Sequence, residues 1–111
     1  MNQTLDAFDK LDIRTGTILE AEPLPEARRP AYKLTLDFGA EIGVKRSSAQ
    51  LTANYETGDL IGKQVIAVVN FPPKRIAGFA SDVLVLGVPD DGGAVVLVRP
   101  ERAVPNGARA F

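Results

Sequence analysis

The chain has 111 residues, 45% apolar and 24% charged, with thirteen basic against fourteen acidic side chains, proportions that fit one globular domain of ordinary size. It has no cysteine and no histidine. That excludes disulfides, thiolate nucleophiles and cysteine-based metal sites, and removes the usual general base near neutrality and the commonest metal ligand.

In chain order, residues Met1 to Asp6 are polar and acidic and lack the basic-then-apolar order of a secretory signal. Leu5, Phe8 and Leu11 stand three apart and predict a short apolar helical stripe. So short a helix is marginal alone in water and needs a surface to dock on, its own barrel or a partner subunit. Ile13, Thr15, Thr17 and Leu19 then alternate loosely with Arg14, Gly16, Ile18 and Glu20, which predicts a first strand. Pro23 to Pro30 reads as an exposed, semi-extended loop carrying Arg28 and Arg29.

Tyr32, Leu34, Leu36 and Phe38 alternate with Lys33, Thr35 and Asp37, predicting a strand with one buried and one wet face. Gly39-Ala40 looks like a short hairpin turn before Ile42 and Val44. Ser47-Ser48-Ala49-Gln50 has the order of a capping box, so about two turns of helix are expected toward Tyr55. Three later runs, Val65 to Val69, Val83 to Leu86 and Ala94 to Val98, are apolar throughout and fit strands covered on both faces. They are far short of the roughly 18 residues of a membrane span. Asp90-Asp91-Gly92-Gly93 joins the last two with strong turn chemistry. Short strands with turns between them and one mid-chain helix predict an all-β fold, a five-stranded barrel of the OB type. A helical extension over residues 1–11 and a second extension from about residue 100 to 111 complete a single domain, expected to be soluble and cytoplasmic.

Charge is unevenly distributed. Residues 1–27 hold two basic and six acidic side chains, residues 28–75 eight basic and four acidic. A basic middle on a near-neutral chain points to a local anion-attracting surface, and scattered solvated Lys and Arg is the plainer reading. Within that middle, Asn70 to Ser81 is the most unusual stretch: Phe71, Pro72 and Pro73, then Lys74 and Arg75, then Gly78 and Phe79. Rings that offer stacking faces beside cations that meet phosphate are the material of a single-stranded or loop RNA site. The competing reading makes Phe71 and Phe79 barrel core and Lys74-Arg75 a solvated turn. Lys45 and Arg46, ahead of the expected helix at Ser47, form a supporting basic patch, where capping alone explains both serines.

Catalytic look-alikes fail. Gly58 to Gln64 is one residue short of a phosphate loop, ends in Gln, and precedes a strand instead of opening a helix. Asp6, Asp9 and Asp12 lack calcium-loop spacing. No catalytic set, cofactor or metal site is expected.

Asp12-Ile13-Arg14-Thr15-Gly16-Thr17-Ile18, Ser47 to Gln50, Gln64 to Pro73 and Arg75 to Phe79 resemble the tRNA-binding domain family, and within it the CsaA-type secretion chaperones. The resemblance covers about residue 8 to the end. It implies an OB barrel and a homodimer joined through terminal segments. It further implies binding of unfolded precursor proteins and association with the export motor SecA. In the wider family the RNA-contacting pattern runs Asn, a basic residue, Gly, then Ser-x-Gly-Met. Asn70, Lys74 or Arg75, Gly78 and Ser81 match it, whereas Val83 and Leu84 replace Gly and Met. That departure suits a ligand that is peptide as well as, or instead of, RNA. Three functions follow for comparison: a chaperone of extended precursor segments, a tRNA-binding module, and a purely structural dimer. The site expected for either ligand is Asn70, Phe71, Pro73, Lys74, Arg75, Gly78, Phe79 and Ser81.

Overall fold

Two alternating stretches of sequence organise the sheet. In the computed structural model, which describes residues 3–111, α1 spans Gln3–Asp9, β1 Ile13–Pro23 and β2 Tyr32–Asp37. Tyr32, Leu34 and Leu36 point inward, and Lys33, Thr35 and Asp37 are half-buried between them. β1 is long enough to pair twice. Its residues 17–23 lie antiparallel to β2, and its residues 13–17 lie antiparallel to β4 (Gln64–Val68), with a bulge between Ile18 and Glu20 that re-aims the strand. β3 (Val44–Ala49) flanks β2, and after the β5 (Lys74–Ile76) and β6 (Phe79–Ser81) hairpin, β7 (Leu84–Val85) flanks β4. The order is therefore β3-β2-β1-β4-β7.

The sheet curls until its two ends approach. The Asp82 N–H donates to the Arg46 carbonyl at 2.8 Å, the Arg46 N–H donates to Asp82 Oδ2 at 3.1 Å, and the Ser48 N–H donates to Ser81 Oγ at 3.0 Å. These bonds nearly close a five-stranded antiparallel barrel of the OB type. Its core holds Ile18, Leu34, Leu36, Phe38 and Val65 without exposed surface, each worth about 1.5–3 kcal/mol of burial. A further hairpin, β8 (Gly87–Pro89) with β9 (Val95–Leu97), follows, turned at Asp90 to Gly93 as expected.

Four local expectations are corrected. Ser47 to Gln50 does not open a helix: residues 44–49 are β3, paired along its length with β2, Leu34 facing Ser47. A full ladder outweighs a marginal two-turn helix. The mid-chain helix is instead the single turn α3, Thr57–Leu60, whose capping box joins Glu56 and Asp59. Lys45 and Arg46 accordingly sit on a strand, with no helix N-terminus beyond them. Gly39-Ala40 is not a tight turn but the start of α2 (Gly39–Ile42), one helical turn between β2 and β3. Of the late apolar runs, Val65 to Val69 has no exposed residue, as expected, but the other two are not covered on both faces, since Leu84 is 48% and Val96 38% exposed.

The segment after β9 returns along β1. Thr15 N–H donates to the Ala108 carbonyl, Gly107 N–H to that of Thr15, and Ala110 N–H to that of Ile13. Arg14 ties this seam: it pairs with Asp12 and donates to the Gly107 carbonyl at 3.0 Å. The Asp12 hydrogen bond raises the Arg14 pKa above its ordinary value. Of the expected N-terminal stripe, Leu5's side chain lies outside the described residues, Phe8 is exposed and Leu11 half-buried.

Candidate binding cleft

The chain leaves β4 and is immediately pinned. Asn70 Oδ1 accepts the Asp12 N–H at 3.0 Å and Nδ2 donates to the Lys10 carbonyl at 2.8 Å. Both ends of the amide are therefore engaged with the segment that follows α1. Phe71, Pro72 and Pro73 come next, all exposed, with Phe71 at 43%. Two prolines hold this exit extended.

β5 and β6 then form a hairpin around Ala77-Gly78, with φ of +52° and +79°. Positive φ at both central residues matches the twist of the flanking strands, and Gly78 supplies it without steric cost. Phe79 is buried at 7% exposure, and the Arg46 guanidinium covers its ring, 4.3 Å from the centroid. Ser81 is buried too: its Oγ accepts the Ser48 N–H and donates to the Val83 carbonyl at 3.3 Å.

The expected site residues thus divide. Phe79 and Ser81 are buried and tie the hairpin to β3, Asn70 joins the end of β4 to the segment after α1, and Gly78 forms the hairpin turn. Phe71, Pro73, Lys74 and Arg75 are exposed, Arg75 donating to the Gly78 carbonyl at 3.0 Å. Of the supporting patch, Lys45 is half-buried and Arg46 lies over Phe79.

Between hairpin and barrel lies a cleft of about 230 Å³. It is lined by the apolar side chains of Phe71, Pro72, Ile76, Val83 and Leu84, with Ser48, Lys74, Ser81 and Asp82 as its polar residues. Pro73 and Arg75 stand outside the lining. The lining is mainly apolar, with one cation, Lys74, and one carboxylate, Asp82. Such a site fits an extended chain bearing aliphatic or aromatic side chains, and the Ser81 hydroxyl within it is engaged by the Ser48 N–H and the Val83 carbonyl. Ser48 and Asp82 were not expected at the site. Val83 and Leu84 carried a signal, because they are the two positions that depart from the RNA-binding pattern. Among the described residues no group of three acidic side chains is placed to hold a metal ion.

Residues 13–109 match the family model described as "Putative tRNA binding domain". The chain is 37% identical over 106 residues to a methionine–tRNA ligase of Thermococcus kodakarensis and 33% identical over 107 residues to that of Bacteroides fragilis. Each match takes in 96% of this chain but only 14% and 15% of the ligases, respectively. Among solved structures it is similar to the chaperone CsaA of Bacillus anthracis, with 53% identity and a TM-score of 0.90, over 96% of both chains. The CsaA chaperone of Picrophilus torridus shows 50% identity and a TM-score of 0.90, covering 96% of this chain and 97% of that one.

Proposed function

The chain belongs to the tRNA-binding-domain family, and on that premise we propose that it acts as a CsaA-like chaperone, a homodimer that holds extended segments of unfolded precursor proteins without catalysis. One observation carries this reading: the cleft is apolar where the family pattern for RNA is lost. Leu84, 48% exposed, lines it together with Phe71, so the replacement of Gly-Met by Val83-Leu84 adds branched aliphatic surface to the site. Support for a second copy comes from the terminal segments, where the exposed side chains of Phe8 and Phe111 border a shared hollow with Arg109. A solution mass of twice 11.9 kDa is expected, and a monomer would contradict this part. Cytoplasmic action and association with SecA stand with the same proposal, and co-sedimentation with SecA tests the latter. No helix among the described residues is long and apolar enough to cross a membrane.

The test is suppression of aggregation of a heat-denatured client. The intact chain should suppress at stoichiometric amounts, and Phe71→Ala should weaken client affinity by about tenfold, the loss of one buried ring face. No suppression by the intact chain defeats the reading.

Lys74 and Arg75, exposed beside the exposed Phe71 ring, favour a second reading, a tRNA-binding module. Each phosphate neutralised on single-stranded RNA steepens the fall of log K with log salt by about 0.7. Salt-insensitive tRNA affinity counts against this reading, and displacement of bound peptide by tRNA would place both ligands on one surface.

A further inference from the structure

Building on the chaperone reading, we infer that the client segment binds as an added β-strand: it pairs with the open edge of β5 through the backbone of Arg75 and turns alternate side chains to the cleft. Recognition is then of the main chain, with a preference for apolar side chains two residues apart.

The pairing within the hairpin sets which backbone groups are open. Ile76 pairs with Phe79 across the two-residue loop Ala77-Gly78, Arg75 with Ala80, and Lys74 with Ser81. A two-residue loop makes its flanking pair a hydrogen-bonded one, and such pairs alternate along an antiparallel ladder. Ile76 and Lys74 therefore direct their backbone groups at β6, whereas the N–H and C=O of Arg75 point away from it. β5 has no other neighbour in its sheet. Among the described residues, no backbone bond from outside the hairpin reaches Arg75.

The flanking residues confine this edge to one position. Pro73, before β5, has no N–H, and Ala77, after it, leaves the strand with φ of +52°. Two hydrogen bonds alone do not join two copies of the chain edge to edge, since a stable interface buries about 1,200 Å² or more. A nucleic acid has no amide ladder to match them. An extended polypeptide does, and it gains the cleft as well. Lys74, Ile76 and Ser81 line that cleft, whereas Arg75 and Ala80, on the opposite face of the hairpin, do not. Residues side by side on adjacent strands share a face. The client residue opposite Arg75 therefore faces away, and the residues before and after it fall on the cleft face, which Phe71, Val83 and Leu84 make apolar.

Fluorescence anisotropy with the full chain tests this, using two labelled peptides of equal composition, one with a Leu-Ser-Leu-Ser core and one with Leu-Leu-Ser-Ser. The alternating peptide should bind about fourfold to tenfold tighter, the worth of one half-buried leucine. Arg75→Pro should bind it about twofold to tenfold more weakly than Arg75→Ala, the worth of one net hydrogen bond. Both variants lose the same side chain, but only proline loses the N–H, at an edge position where the hairpin's own bonds remain. In the intact chain, amide exchange at Arg75 should slow when peptide is added, and this measurement decides alone if Arg75→Pro fails to fold. Equal affinity for the two peptides, equal affinity of the two folded variants, or exchange at Arg75 unchanged by bound peptide overturns the inference and leaves the chaperone reading in place. Slowing at Arg75 with rising protein concentration and no peptide would assign the edge to a second copy and likewise overturns it. Failure of the intact chain to bind either peptide overturns both.

Discussion

At Gly16, in β1, a Cβ would lie 2.6 Å from Cε1 of Phe38. Phe38 is fully buried, so its ring has nowhere to retreat. Gly16→Ala should therefore destabilise the fold by about 1–3 kcal/mol, and thermal unfolding should show a midpoint lower by several degrees. An unchanged midpoint would contradict this packing. Asn70 makes the complementary case. Its two bonds join β4's exit to Lys10 and Asp12, and each such bond contributes about 0.5–1.5 kcal/mol net. Asn70→Ala should speed amide exchange around residues 10–13 while peptide affinity changes less than it does in Phe71→Ala. The reverse ranking would return Asn70 to the binding surface. Both residues belong to stretches the sequence marks out, yet only a folded partner shows why. A glycine reveals its neighbour, and an asparagine its two carbonyl and amide partners, once strands distant in sequence are side by side.

At the scale of elements, Asp90 shows what local sequence does reveal. Its Oδ1 accepts the Gly92 and Ala94 N–H groups at 3.0 Å, and Oδ2 accepts from Asn54 at 3.0 Å. The Asn54 bond, followed by the backbone bond from Ala94, holds the carboxyl below its ordinary pKa. A lowered folded pKa means that the stabilisation is present above the unfolded value of about 3.9 and is lost as pH falls through the folded one. Amide exchange in residues 87–97 should therefore accelerate under acid, and Asp90→Asn should largely remove that acid dependence at the hairpin. Exchange that is pH-corrected and flat would contradict it. The turn was legible because the backbone bonds that shape it lie within five consecutive residues, whereas the Asn54 bond, 36 residues away, was not. The Ser47 segment was not, because Ser47, Ser48 and Ala49 suit the start of a capping box and a strand alike, and the choice is made by β2. Likewise the one-turn α3 is too short to leave a periodic signal.

Across the whole molecule, the cleft is assembled from β3, the segment after β4, and the residues ahead of β7. Alternation in residues 32–38 announced the barrel, but not that Asp82 and Ser81 would close it against Arg46 and Ser48. That closure brings Leu84 and Phe71 to one cleft and turns scattered apolar side chains into one surface. Adhesion at that surface is the function proposed for the chain. Hydrogen–deuterium exchange of the chain with and without an unfolded client tests it most directly. Added protection centred on residues 71, 74–76 and 81–84, with residue 48, is the result expected; protection confined to other faces, with these residues unchanged, would contradict the account.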